Sequence, residues 1–170
     1  MRAASYQASG HFAIDERAAA DPGPGQVRVR VEACGICGSD LHHLHHGLFQ
    51  AGQTPGHEIA GRIERVGPGV NDVSEGQAVA VEPLESCGVC DPCRAGMDSI
   101  CRRMRVYGIH MAGGLAEQIV VSAHRVYPLA DGLDPAVAAL AEPVAVSVHG
   151  LERGGFAPGQ RVLVMGAGAV

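Results

Sequence analysis

The chain has 170 residues, of which 46% are apolar and 18% charged, enough for an ordinary domain with a hydrophobic core. Its formal net charge of −5 argues against nucleic acid or an anionic membrane as a partner. No apolar run reaches the roughly 18 residues of a membrane span. All 13 cationic side chains are arginine, which excludes lysine-based chemistry such as Schiff-base formation.

Alternating apolar and charged residues predict the first strand at residues 26–33, with one face buried. Turns rich in glycine and proline separate the later apolar segments. Further strands are predicted at residues 59–66, 77–81, 116–121 and 125–129. Short strands with little helical periodicity up to about residue 130 predict a mainly β fold, a compact and partly closed β-barrel.

The pattern then changes to helix. Asp134 and Pro135 form a helix start, and a second start follows at Glu142. The apolar run at residues 161–165 predicts a buried parallel strand. The glycines Gly166 and Gly168 follow it, in a pattern that matches the opening of a dinucleotide-binding unit, whose pyrophosphate lies at a helix N-terminus. A plain connection from a strand to a turn is the alternative interpretation of these two glycines. Because the motif breaks off there, we expect an N-terminal fragment, with one domain over residues 1–141 and the start of a truncated nucleotide-binding domain over residues 142–170.

Four cysteines fall close together in the pattern C-x2-C-x2-C-x7-C. They are Cys87, Cys90, Cys93 and Cys101. Tight C-x2-C turns present two sulfurs to a tetrahedral metal, and four sulfurs leave no position for water or substrate. The spacing therefore predicts a closed, structural zinc site in a lobe over residues 87–101.

Two other interpretations of these cysteines stay open. Disulfides are one, although the N-terminus has no apolar segment typical of a secreted protein. An iron–sulfur cluster is the other, because C-x2-C-x2-C also begins a ferredoxin-type run. In that run the fourth cysteine follows after three residues and precedes proline, whereas here it follows after seven and precedes Arg102.

A second set of candidate ligands lies upstream. It comprises the segment Cys34-Gly35-Ile36-Cys37-Gly38-Ser39-Asp40-Leu41-His42 and the triplet Gly56-His57-Glu58. With the cysteine lobe, Ala-Glu-Pro-Val at 141–144 and the strand into Gly-Ala-Gly, these motifs run the length of the chain. In this order they resemble the zinc-dependent medium-chain dehydrogenase/reductase family, which includes alcohol, sorbitol and threonine dehydrogenases. The resemblance implies a GroES-like barrel as the catalytic domain, followed by the first helix and strand of a truncated Rossmann domain.

The resemblance also implies a catalytic zinc site. By position, Cys37 and His57 would bind this zinc, and Glu58 would either ligate it or hold its water. Many alcohol dehydrogenases have cysteine as the third ligand, whereas this chain has Glu142, as polyol and sorbitol dehydrogenases do. One cysteine, one histidine and one glutamate make zinc a stronger Lewis acid than two cysteines and a histidine do.

Further roles follow from the same resemblance. Ser39 would accept the proton of a zinc-bound alcohol and pass it through the cofactor ribose to His42, while hydride leaves for NAD or NADP. Asp40 would fix the tautomer of His57. Other histidines crowd the same segment, at positions 43, 45 and 46. With His42 they form a dense cluster that is able to bind adventitious metal, and we interpret these three as exposed loop residues.

Cys34 remains open to two interpretations. Two residues separate it from Cys37, with which it would form a metal-binding pair, but a lone cysteine at the end of a strand more often packs as a small apolar residue.

The functional expectation is a zinc-dependent alcohol or polyol dehydrogenase that transfers hydride to NAD(P). It needs one catalytic and one structural zinc and a small-molecule alcohol or polyol, and it has no nucleic-acid or membrane partner. For a full-length protein, the resemblance implies a homodimer or a homotetramer in the cytoplasm. A non-catalytic zinc-stabilised β-barrel is the alternative, and a zinc-free quinone reductase is disfavoured because it has no use for the cysteine lobe.

Overall fold

The structure of the protein is a computed structural model that describes residues 1–166 and 168. Its strands are β1 to β9 in chain order: Arg2–Gln7, His11–Glu16, Gln26–Gly35, Glu58–Val66, Ala78–Val81, Leu84–Glu85, Arg105–Val106, Gln118–Ser122 and Val126–Pro128. Its α-helices are α1 to α4: Gly38–His45, Asp91–Arg94, Pro135–Ala138 and Ala141–Arg153. Short 3₁₀ turns occupy Asp98–Ile100 and Ala123–Arg125.

The main sheet has five antiparallel strands in the order β8-β3-β4-β5-β9. A hairpin of β1 and β2 joins it through the bridge between Ala3 and Ala116, and β6 pairs with β7 beside the cysteine lobe. The mainly β prediction is confirmed, and each strand predicted up to residue 129 is present within about two residues. The hairpin of β1 and β2 was not predicted.

The core lies on one face of the sheet, where alternate residues of neighbouring strands point inward. Buried members come from all five strands: Val27, Val29, Ile59, Ile63, Val79, Val81, Ile119, Val121 and Val126. On the other face, Ala60 of β4 packs against Ala138 and Ala139 at the end of α3. Asp134 caps α3 as predicted, because its side chain accepts a hydrogen bond from Ala136 N at 2.8 Å.

The prediction of a strand at residues 161–165 is wrong. These residues form no strand, and Leu163, Val164 and Met165 are 83%, 78% and 90% exposed. A parallel strand needs hydrogen-bonding neighbours on the same sheet, and none lies beside this segment in the described chain. No helix within residues 1–166 and 168 has the length and apolar character needed to cross a bilayer.

Candidate metal centre

Two groups of potential metal ligands form within the described part of the chain, each with its ligand atoms within 4.8 Å of one another. The first is the cysteine lobe, with Cys87, Cys90, Cys93 and Cys101. The second, which we call the mixed-ligand site, consists of Cys37, His57 and Glu58. The sequence predicted both groups, but it also included Glu142 among the ligands of the second.

The sulfurs of the cysteine lobe have the spacing that a tetrahedral metal requires. Cys90 Sγ lies 3.3 Å from Cys93 Sγ and 3.8 Å from Cys101 Sγ. Four sulfurs each about 2.3 Å from zinc would be about 3.8 Å apart. The residues of the lobe therefore fit a structural zinc ion.

The electrostatics of the lobe also favour a cation. Hydrogen bonds from the backbone N–H groups of Val89 and Cys90 lower the pKa of Cys87 to about 6, and the N–H of Cys93 lowers that of Cys90. Desolvation and the adjacent sulfurs raise the pKa of Cys93 to about 11. Thiols this close cannot all ionise unless positive charge lies among them, so the four cysteines would need a bound cation to act together as thiolates.

Arg125 connects the lobe to the main sheet. This buried guanidinium donates a hydrogen bond to Glu82 Oε1 at 2.8 Å, just beyond β5. It also donates to Ser86 Oγ at 2.8 Å, next to the lobe, and to Asp98 Oδ2 at 2.9 Å, within the lobe. Burial opposes its charge, but the hydrogen bonds to the two carboxylates outweigh that effect and raise the pKa of Arg125. The same contact lowers the pKa of Asp98. Arg125 was not singled out by sequence reasoning, because nothing local to it indicates its distant partners.

The mixed-ligand site lies where β3 passes into α1 and where β4 begins. Cys37 is the N-cap of α1, and its backbone N–H donates to Asp40 Oδ2 at 3.0 Å. This reciprocal capping holds the first turn of the helix, and with it the Cys37 sulfur, in place. The sequence Cys-Gly-Ser-Asp thus positions a ligand through ordinary helix-capping chemistry.

His57 is held by the loop before β4. Gly56 has φ +93°, and a Cβ there would meet Cys34 Sγ at 2.7 Å and Leu115 N at 2.9 Å. Residues 113–115 clamp this loop through backbone hydrogen bonds, including Gly114 N to Gly56 O at 2.8 Å. Only glycine fits at position 56, and its conformation directs the buried His57 towards Cys37.

Asp40 faces His57 inside the protein. Asp40 Oδ1 and His57 Nδ1 are both buried without a hydrogen-bond partner and lie 3.6 Å apart. Interaction with the Asp40 carboxylate is the main cause that raises the pKa of His57 to about 9, against the effect of burial. Since 3.6 Å exceeds a normal hydrogen bond, we attribute this effect to charge attraction. A metal bound to the imidazole of His57 would compete with the proton that charges this ring. The buried pair of Asp40 and His57 therefore fits a metal-binding histidine whose ring is oriented by a carboxylate.

Glu58 is the first residue of β4 and pairs across the sheet with Gly35, the last residue of β3. Its carboxylate folds over this glycine, because a Cβ at position 35 would lie 1.9 Å from Glu58 Oε2 and 2.9 Å from its Cδ. Gly35 therefore leaves the space that the Glu58 side chain occupies. Sequence reasoning missed this role, because Glu58 is distant in sequence and only the pairing of β3 with β4 brings it beside Gly35.

Glu142 lies in the first turn of α4, close to the mixed-ligand site but outside its 4.8 Å group. Burial raises the pKa of Glu142, and the charges of His57 and Glu58 also act on it, which places its carboxylate within electrostatic reach of both. The structure thus brings three of the four residues predicted as catalytic-zinc ligands together and sets the fourth beside them.

The two residues predicted to carry protons lie on α1. Ser39 is partly buried in the first turn, and His42 is exposed three residues later. Side chains three apart share a helix face, so both can point to one side. Gly166 has φ +101° and Gly168 lies in a bend, in a segment where the structure provides no nucleotide-binding unit among the described residues.

Cys34 belongs to the core and is outside the ligand group. It packs against the main hydrophobic cluster, and burial, followed by the charges of Asp40 and Glu58, raises the pKa of its thiol to about 12. The thiol therefore stays protonated, which favours the apolar interpretation of this cysteine.

Comparison with known proteins identifies the family of the chain. The family described as "Alcohol dehydrogenase GroES-like domain" matches residues 23–131. The chain is 39% identical over 151 residues to the L-galactonate-5-dehydrogenase of Escherichia coli K12, covering 88% of the chain and 44% of the relative. It is 39% identical over 156 residues to the sorbitol dehydrogenase of Arabidopsis thaliana, covering 87% and 42%.

Among solved structures, the chain resembles a protein of Sinorhizobium meliloti 1021 assigned as a zinc-binding dehydrogenase and bound to NADP. The TM-score is 0.84 at 37% identity, covering 89% of this chain and 45% of the other. The chain thus spans a little under half the length of the relatives cited here.

The antiparallel sheet and the ordered ligand motifs define a class, the GroES-like domain of the zinc-type medium-chain dehydrogenases. This chain belongs to the alcohol dehydrogenase GroES-like domain family, as the match over most of its length shows. The resemblance expected from the sequence is confirmed.

Proposed function

We propose that this chain is the zinc-binding catalytic part of an NAD(P)-dependent alcohol or polyol dehydrogenase. The convergence of Cys37, His57 and Glu58 carries the proposal, because three donors from two segments that are distant in sequence meet within 4.8 Å. Glu142 would be the third protein ligand beside Cys37 and His57, and Glu58 would either ligate the metal or hold its water. The cysteine lobe would hold a second, structural zinc.

The donor set supports catalysis more than a structural role. A zinc ion bound by three protein ligands keeps a position for a substrate oxygen and makes a bound hydroxyl more acidic. Cys37 is partly exposed, whereas His57 and Glu58 are buried, so the site opens on the side of the sulfur. The lobe, in contrast, offers four sulfurs and no open position.

The surrounding residues would orient the metal-binding histidine and carry the proton of the substrate hydroxyl. Asp40 would hold the His57 ring through Nδ1, which directs Nε2 towards the metal. Ser39 would accept the hydroxyl proton, and the ribose of the cofactor would connect it to His42. Gly166 and Gly168 would approach the pyrophosphate of NAD or NADP in a complete nucleotide-binding domain.

The substrate class follows from the relatives and from Glu142. Two relatives are named for L-galactonate and sorbitol, which are polyhydroxylated, and a structural neighbour is bound to NADP. We therefore propose a secondary alcohol of polyol type as substrate. A homodimer or homotetramer in the cytoplasm would be the setting of the whole protein.

A non-catalytic zinc-stabilised barrel is the second candidate, and the closed cysteine lobe favours it as much as it favours an enzyme. By itself, the 170-residue chain is expected to show no NAD(P)-dependent turnover. The two candidates differ in one property, since only a dehydrogenase needs a metal that is accessible to an alcohol.

Cobalt substitution tests this difference on the chain itself. Co²⁺ would replace zinc in both sites, and its visible spectrum reports ligand changes. We expect sorbitol or a simple secondary alcohol to alter the spectrum of the wild type but not that of Cys37→Ser, which retains only lobe cobalt. A wild-type spectrum unaffected by every alcohol and polyol tested would contradict the dehydrogenase proposal and favour the non-catalytic barrel.

A further inference from the structure

Two histidines on α1 lie outside the mixed-ligand site and form a pair of their own. His42 and His46 are four residues apart, and their ring centroids are separated by 4.3 Å. The backbone N–H of His46 donates to His42 O at 3.0 Å, so the helical i, i+4 geometry continues to His46 although it is the C-cap. Both side chains therefore project from one face of the helix.

The rings of this pair are available to a ligand. Both are exposed and, among the described residues, neither makes a hydrogen bond to the protein. The ring of His43 differs, because its Nδ1 is hydrogen-bonded to Ser39 O at 2.8 Å. His45 is exposed as well, but it lies 5.1 Å from His46 with its ring nearly perpendicular, at 86°.

We propose that His42 and His46 form a third metal site, a bidentate imidazole chelate for a divalent transition-metal ion such as Ni²⁺ or Cu²⁺. Histidines at i and i+4 on one helix face are a recurrent way to bind zinc. Imidazole suits nickel, copper and zinc better than it suits magnesium or calcium. The net charge of −5 also favours the approach of cations.

The proposed site has a consequence that rests on the proposed function. His42 would receive a proton through the lone pair of a ring nitrogen. A metal ion on that nitrogen occupies the same lone pair, so the chelate and the proton acceptor exclude each other. Excess transition metal would then inhibit the whole enzyme through His42 while the catalytic and structural zinc ions stay bound.

Nickel titration of the zinc-loaded chain tests the site without any assay of activity. Calorimetry should detect one Ni²⁺ site in the wild type. We expect His42→Gln and His46→Gln each to weaken it by roughly a hundredfold, because each removes one arm of a chelate. His45→Gln is the matched control from the same exposed surface and should bind nickel as the wild type does.

The outcomes separate this proposal from the preceding one. Zinc content measured before nickel is added reports on the cysteine lobe and the mixed-ligand site, whatever nickel does. Selective broadening by Ni²⁺ of the imidazole NMR signals of residues 42 and 46 would support the chelate. A wild type without nickel binding, a single variant that retains it, or an equal loss in His45→Gln would overturn it.

Discussion

The cysteine lobe and the mixed-ligand site bring their donors together in different ways. All four sulfurs of the lobe come from residues 87–101, and tight local turns suffice to gather them. The donors of the mixed-ligand site come from two strand ends, and the pairing of β3 with β4 brings them into contact. A closed structural site can therefore be local, whereas a site with room for substrate depends on the whole sheet.

The largest effect is expected from breaking the lobe. Cys101→Ser removes the buried sulfur that accepts hydrogen bonds from the backbone of Cys87 and Arg103 at 3.3 Å. Structural zinc contributes about 10 kcal/mol or more to the folding of small zinc domains, so we expect the lobe to lose its metal and its fixed structure. Zinc content should fall by one ion per chain, and trypsin should cut at Arg94 and Arg102. Cys34→Ala, which removes a core thiol, should leave zinc content unchanged, and an equal loss there would refute the assignment.

The connection between the cysteine lobe and the main sheet can be broken at Arg125. Arg125→Met leaves the carboxylates of Glu82 and Asp98 without their partner. Removing one member of a buried pair costs about 3–5 kcal/mol, and because Asp98 is half exposed we expect roughly 2–3 kcal/mol in urea unfolding. The mixed-ligand site should keep its metal. A loss below about 0.5 kcal/mol would show that the lobe does not depend on this anchor.

The mixed-ligand site can be disturbed alone through Gly35. Gly35→Ala places a methyl group where the Glu58 carboxylate lies, so this carboxylate must move away from Cys37 and His57. We expect metal affinity at this site to fall about 10- to 100-fold, with the lobe unaffected, in a competition assay with a chelator. Gly38→Ala is the control, since a Cβ there meets nothing within 4 Å. Equal affinity in both variants would mean that Glu58 does not contribute to binding.

The smallest effect is expected on the surface of the lobe. Arg102 and Asp91 are 3.5 Å apart, and their side chains are 71% and 82% exposed. Arg102→Gln should change the free energy of unfolding by less than about 0.5 kcal/mol and leave zinc retention as in the wild type. A marked loss of zinc would show that charge outside the cysteines helps to hold the metal.

The same contrast explains what the sequence could predict. The strands with clear alternation and the cysteine lobe were predictable, because period and spacing are local properties. The hairpin of β1 and β2 was missed, since its residues lack clear alternation and its inner face depends on a distant bridge to Ala116. Residues 161–165 have the composition of a buried strand, yet composition supplies no hydrogen-bonding neighbour.

The candidate site also has features that the sequence could predict and features that it could not. The ligand motifs around Cys37 and His57 were recognisable as motifs, but their meeting point depends on the register of Gly35 against Glu58. The roles of Gly35 and Arg125 depend on partners more than 20 residues away in sequence. No local pattern encodes such contacts, so they emerge only from the folded chain.

Zinc stoichiometry in the wild type and in Cys37→Ser tests the central claim most directly. Elemental analysis of the purified chain should find two zinc ions in the wild type, one for each ligand group, and one in the variant. The ion that remains should be released only when a lobe cysteine is also replaced. A wild type with a single zinc ion that Cys37→Ser leaves in place would contradict the claim that the mixed-ligand site binds metal.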